Sequence, residues 1–128
     1  MSRRAIVVDP SEGAPVIASL SARALRLAAI WCTHHHPAHV GGVEVLAAAF
    51  PGVDVVASAH DRTHARVPRQ SRAVQSGHTL DFADVTFRVM EVPGHTLGAI
   101  TYVGGGHALT GDTLFLGGCG RLFEGTPA

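Results

Sequence analysis

The sequence predicts a mixed α/β sandwich, and three observations carry that expectation. The chain has 128 residues, 46% of them hydrophobic, which suits one domain with a real core. In its first half, short β-branched apolar runs alternate with segments whose apolar residues recur at helical spacing. Its second half holds strand-like runs separated by turns, so strand–helix alternation gives way to strands alone.

The elements follow in order. "AIVVD", Ala5 to Asp9, is a short apolar run closed by Asp9-Pro10 and reads as a buried strand. Ile17, Leu20, Ala24 and Leu27 then recur at helical spacing, with Pro15 placed in a first turn. "AAIWCT" returns to a strand, and a histidine cluster begins where it stops. After Gly41-Gly42, Val43, Leu46, Ala47 and Phe50 mark a second amphipathic helix, followed by the strand "VDVVAS". From about Asp61 to Gln75 the chain is rich in arginine and poor in apolar residues, which predicts an exposed helix or loop. "HTLDFADVTFRVMEV" predicts two strands about a turn at Asp84, and "AITYV", "GGG" and "HALTGD" predict a hairpin. Nothing precedes Ala5 to pair with the first strand, and the chain closes on "GGCGRLFEGTPA" without a helix, so both ends read as cut from a single domain spanning residues 1–128.

Composition excludes several classes. Ten arginines, with no lysine, balance ten acids, so net charge gives no electrostatic reason to expect nucleic acid or an anionic membrane as partner. Cys32 and Cys119 form no disulfide framework, which fits a reducing compartment. The apolar run at the N-terminus stops too early for a signal peptide, and no stretch approaches the ~20 apolar residues of a membrane span. The expectation is a soluble, cytoplasmic protein.

The chemistry concentrates in "CTHHHPAHVGG", Cys32 to Gly42. His34 and His36 are two apart, so on an extended segment both side chains point to one side and can reach one ion. His35 alternates away from them. His39 follows at the start of the next helix and can approach a neighbouring point. "VPGHT" places His95 on a turn after a strand, and "TGDTLF" places Asp112 just after another. Neutral imidazoles and a carboxylate are the ligands that zinc and iron take. Each of these residues is ordinary alone; their order and spacing together are not.

In that order the motifs resemble the metallo-β-lactamase superfamily, whose pattern is T-H-x-H-x-D-H, then G-H-T, then G-D. Here the pattern appears as Thr33-His34-His35-His36-Pro37-Ala38-His39, Gly94-His95-Thr96 and Gly111-Asp112. The ending "GCGRLFEGT", Gly118 to Thr126, is similar to the substrate loop of the glyoxalase II (hydroxyacylglutathione hydrolase) branch. The resemblance implies an αβ/βα sandwich, here incomplete and without the C-terminal helical domain of that branch. It implies that His34, His36 and His95 hold a first metal, that Asp112 bridges towards a second, and that His39 serves the second. Ala38 stands where the pattern has Asp, so the second site is expected to be impaired. The metal implied is zinc, with iron or manganese as alternatives, and one tight site. The activity implied is hydrolysis of S-acylglutathione thioesters, such as S-lactoylglutathione, by water that the metal activates, with turnover impaired in this chain. Arg121 matches a basic position that contacts glutathione, Phe123 a position often held by tyrosine, and Cys119 a loop position beside them. Two alternatives stand beside this: a metal-binding fragment without turnover, and a protein like the mononuclear-iron persulfide dioxygenases.

Other residues carry less. His60 and His64, at i and i+4, can form a helical metal pair, but the arginines between them favour an exposed helix. The glycines at 104–106 read as a turn, with no phosphate loop around them.

Overall fold

A computed structural model describes residues 3–124 and Thr126. Its first half is a parallel sheet of β1 (Arg4–Val8), β2 (Arg26–Trp31), β3 (Asp54–Ser58) and β4 (Arg72–Val74), in that spatial order. The connections contain α1 (Gly13–Ala22), α2 (Pro37–Val40), α3 (Val43–Ala49) and α4 (Ala59–Thr63). The second half is an antiparallel sheet of β5 (Thr79–Phe82), β6 (Val85–Glu91), β7 (Ile100–Gly104) and β8 (His107–Leu109).

Strand alternation divides the core in two. Ile30, Val55 and Ala57 point to one face of the parallel sheet and meet Leu20, Val43 and Leu46 of α1 and α3. Their neighbours Trp31 and Val56 point to the other face and, with Val74, meet Leu80, Val89, Ile100 and Tyr102. Central parallel strands are therefore buried on both faces, which is why the middle of "DVVAS" is an unbroken apolar run without alternation. β5 and β6 bury mainly one face, so Thr79, Asp81, Arg88 and Met90 lie exposed on the other. The layers run helix, sheet, sheet; no helix covers the outer face of the second sheet among the described residues. The expected sandwich is thus present as its helix–sheet half plus the second sheet.

Two expectations are corrected. The first helix ends at Ala22, Ala24 takes a left-handed conformation (φ 52°), and Leu27 belongs to β2. Its apolar spacing continued past the helix because both elements feed the same core. The Asp61–Gln75 stretch is not wholly exposed: it includes β4, buried Val67, and Asp61 with no exposure at all. Its burial comes from the loops that close over it, a tertiary effect that composition does not report. The other turns agree with expectation, with Ala83 (φ 53°) before Asp84 and Gly105 and Gly106 at positive φ in the β7–β8 hairpin.

Trp31 stacks on Tyr102 at 5.1 Å and meets Phe87 edge-on at 5.1 Å. The Tyr102 hydroxyl donates to the Cys32 carbonyl at 2.8 Å, tying the antiparallel sheet to the end of β2. Tyr102→Phe leaves that buried carbonyl without its donor and is expected to cost about 1–3 kcal/mol in urea unfolding. Leu116→Ser, at a fully exposed side chain, is expected to stay within about 0.5 kcal/mol of the parent.

Candidate metal centre

The site forms where β1, β2, β6 and β8 end. Parallel strands point their C-terminal ends to one edge, and the loops leaving that edge meet there. β1 delivers Asp9, β2 delivers Thr33 to His36, the loop after β6 delivers His95, and the loop after β8 delivers Asp112. Gly111 precedes Asp112 because its φ of 55° is left-handed and because a Cβ there would collide with the Thr33 side chain.

His34, His36 and His95 bring one nitrogen each to within 4.8 Å of one another. His36 Nδ1 and His95 Nε2 lie 3.0 Å apart. The Asp112 carboxylate spans the group: Oδ2 is 3.3 Å from His95 Nε2 and 3.8 Å from His34 Nε2, while Oδ1 is 3.2 Å from His39 Nε2. One oxygen thus faces His34 and His95 and the other faces His39.

The remaining ring nitrogens are held from behind. Asp9 Oδ1 accepts the Thr33 N–H at 2.7 Å, and Oδ2 accepts the Thr33 hydroxyl at 2.7 Å. Since that hydroxyl donates to Asp9, its oxygen accepts from His34 Nδ1 at 2.9 Å. Asp9 Oδ2 also accepts from His39 Nδ1 at 3.0 Å, and the Arg121 carbonyl accepts from His95 Nδ1 at 2.6 Å. Protons on these three Nδ1 atoms leave three bare Nε2 lone pairs facing inward, the tautomer that a metal ligand needs. His34 Nε2 is buried and has no hydrogen-bond partner. A buried acceptor without a donor is costly, and a cation at the shared point would satisfy it. The residues present therefore fit a transition metal.

Asp9 was not singled out as a site residue from the sequence. The available signal was an acid closing a short apolar strand, expected to be buried but lying half-buried at the sheet edge, and in the structure it sits at φ 51°, a strained setting for a non-glycine residue. Asp9, His34 and His39 are also close enough to share a cation. Both Asp9 oxygens are already engaged by Thr33 and His39, so Asp9 acts as their support.

A model of the metallo-beta-lactamase superfamily matches residues 2–127. The chain belongs to that superfamily. Among curated relatives, it is 51% identical over 127 residues to a hydroxyacylglutathione hydrolase of Gloeobacter violaceus, covering 98% of this chain and 50% of the relative. The chain thus spans about half the length of the curated relatives it matches. Among solved structures, ETHE1 from Myxococcus xanthus has TM-score 0.78 and 29% identity over 93% of this chain and 51% of the other. The BLEG-1 B3 metallo-beta-lactamase has TM-score 0.84 and 23% identity over 96% of this chain and 69% of the other, a likeness of fold.

On this superfamily scaffold, Ala38 is exposed on α2 beside His39 and offers a methyl where the pattern has a carboxylate. The loop after Asp112 returns over the cluster: the Gly120 N–H donates to the Asp112 carbonyl at 2.6 Å. A Cβ at Gly120 would lie 2.8 Å from His95 Nδ1, so the close approach needs glycine. Phe123 places its ring edge-on, 5.3 Å from both His36 and His95, and the Arg121 guanidinium lies 5.1 Å over Phe123. Cys119 is free and exposed on the same loop. Gly125, inside the glyoxalase II-like ending, lies outside the described residues.

The other histidines are placed differently. His35 turns away from the cluster, as alternation predicts, with Nδ1 3.8 Å from Asp61 and Nε2 3.9 Å from Glu124. His60 and His64 stack face to face at 4.3 Å, and His60 Nδ1 faces Asp61 at 3.7 Å, so the pair is not arranged as a chelate. Burial pushes the Asp61 carboxyl up, opposed by His35 and His60. Cys32 is sealed in the core, where burial pushes its thiol up and keeps it inert.

Burial lowers the His34 pKa to about 3, with the neighbouring imidazoles of His39 and His36 adding to the effect; His36 is also lowered, first by burial and then by His95. Both rings are therefore neutral at neutral pH, ready to ligate. For His34 the native state resists protonation while the unfolded chain accepts it, so its contribution to stability is full above pH ~6.5 and is lost as pH falls towards about 3. Asp61 works in the opposite sense, since its raised carboxyl takes up protons in the native state first. The metal-free parent is therefore expected to lose stability below pH 6.5 more steeply than His34→Gln, read as the difference between their urea midpoints across pH 7.5 to 5.

Proposed function

We propose that the chain is the metal-binding portion of a glyoxalase II-type thioesterase that hydrolyses S-acylglutathione. The observation that carries this is the convergence of nitrogens from His34, His36 and His95, two of them pre-set by their Nδ1 partners, and Asp112 beside the Arg121–Phe123 segment. The name of the 51%-identical relative, hydroxyacylglutathione hydrolase, supports the substrate class.

His34, His36, His95 and Asp112 would hold the first metal, and His39 with Asp112 would serve a second. When bound, the metal supplies the Lewis acidity that polarises a thioester carbonyl and makes water acidic enough to deprotonate near neutral pH. Asp9 and Thr33 keep His34 and His39 in the ligating tautomer. The Arg121 guanidinium can pair with a glutathione carboxylate, in the fork geometry that a lysine would not provide. Phe123 offers its ring to the substrate without the hydroxyl often found there. Zinc is the proposed metal, with iron or manganese as the alternatives.

Ala38 impairs the second site, because a methyl neither ligates nor accepts a hydrogen bond from water. A second reading, mononuclear-iron chemistry of the persulfide dioxygenase kind, is favoured by one observation. His34, His95 and Asp112 already form a two-histidine, one-carboxylate group.

Elemental analysis is expected to find about one tightly held transition metal per chain, lost in His34→Ala, His36→Ala and His95→Ala and kept in His35→Ala. Two equivalents in the parent, or equal loss from His35→Ala, would contradict the assignment. Zinc points to the hydrolase; iron with oxygen consumption on persulfides points to the second reading.

Hydrolysis of S-lactoylglutathione is expected to be slow, with a high KM. The hydroxyl absent at Phe123 removes one substrate hydrogen bond worth about 0.5–1.5 kcal/mol, and a tenfold change in affinity corresponds to about 1.4 kcal/mol. Ala38→Asp is expected to raise occupancy by a second metal, read by metal titration, and to raise kcat. A low KM in the parent, with His95→Ala as the control for contaminating enzyme, would overturn the binding argument.

A further inference from the structure

A second polar group lies against the cluster. Arg66, just past α4, donates from Nη1 to both Glu124 oxygens at 2.7 and 3.0 Å. The Leu97 N–H donates to Glu124 Oε2 at 2.8 Å. His35 sits between Glu124 and the sealed Asp61 carboxylate, and the Arg66 N–H closes the ring by donating to the Asp61 carbonyl at 3.0 Å. The metal loop, the His95 loop, the end of α4 and the loop carrying Arg121 and Phe123 all meet at Glu124.

We propose that Glu124 is a positioning residue: it pins the Arg121–Phe123 segment across His36 and His95 and so fixes how His95 presents its ligating nitrogen. The inference rests on the reading of the cluster as a metal centre. Leu97 lies two residues after His95, and Arg121 three before Glu124. His95 is therefore gripped twice, through its own Nδ1 by the Arg121 carbonyl and through its following chain by the Glu124 carboxylate. The position calls for an anion with two acceptor oxygens, because Arg66 donates to both and the Leu97 N–H donates to one of them. A carboxylate meets both demands in one plane.

Magnitudes separate this role from simple stabilisation. A part-exposed ion pair contributes little to global stability. Losing the group that orients a metal-ligating histidine costs about 10–100-fold in metal affinity or activity. Removing Glu124 is therefore expected to disturb the metal far more than the fold.

The test uses the 128-residue chain titrated with cobalt(II), whose visible bands report ligand geometry. Glu124→Ala is expected to weaken cobalt binding about tenfold or more and to shift its visible bands, with little change in thermal midpoint. Glu124→Gln still accepts from Leu97 and is expected to recover part of the affinity, while Arg66→Leu should match it. If Glu124→Ala fails to fold, Glu124→Gln and Arg66→Leu carry the comparison. Unchanged affinity and spectrum in the folded variants, or losses that track a lowered thermal midpoint, overturn the proposal. A parent that takes up no cobalt removes the metal-centre reading and this inference with it. Uptake by the parent with unaffected variants removes this inference alone.

Discussion

The Asp9 carboxylate, shared between the Thr33 backbone, the Thr33 hydroxyl and the His39 ring, is the contact on which the site depends. It converts the end of one strand into an anchor for its neighbour and passes its acceptor strength through Thr33 to His34. Without it, the extended segment after β2 has no reason to leave the sheet edge in the one direction that aims His34 and His36 together. Its left-handed backbone is a local cost that the three hydrogen bonds offset.

Holding several imidazoles against one another is unfavourable unless they stay neutral. Burial does that for His34, and the Nδ1 partners fix which nitrogen carries the proton. The same arrangement leaves the buried His34 Nε2 lone pair without a hydrogen-bond donor, and a cation at the shared point would satisfy it. Fold stability and metal affinity are thus coupled: groups that keep the rings ready to ligate are groups the metal-free fold must spend stability to hold.

The cluster is also roofed. Gly120 and Gly111 allow the loops around Asp112 to approach His95 and Thr33 more closely than any side chain would permit. Phe123 lies edge-on to His36 and His95 with the Arg121 guanidinium over its ring, and the Arg121 carbonyl reaches through to His95. The Gly118–Glu124 loop and the imidazole cluster are one connected structure, so the motif at Gly118–Glu124 has a packing reason.

The sequence by itself determined most of the strand and helix order, though not β4, and the candidate ligands, because these rest on local physics. Two-residue alternation separates His35 from His34 and His36, and parallel strands buried on both faces must be written as continuous apolar runs. The hairpin glycines likewise announce their turns. Tertiary structure alone decided the rest. The roles of Asp9, Asp61 and Glu124 depend on partners 24 to 58 residues away, and no periodicity encodes such contacts. The burial of Asp61 in an arginine-rich stretch, and the end of α1 before Ala24, were likewise set by packing between elements. Local patterns fix which way a side chain points along its own element; only the meeting of elements fixes what it points at.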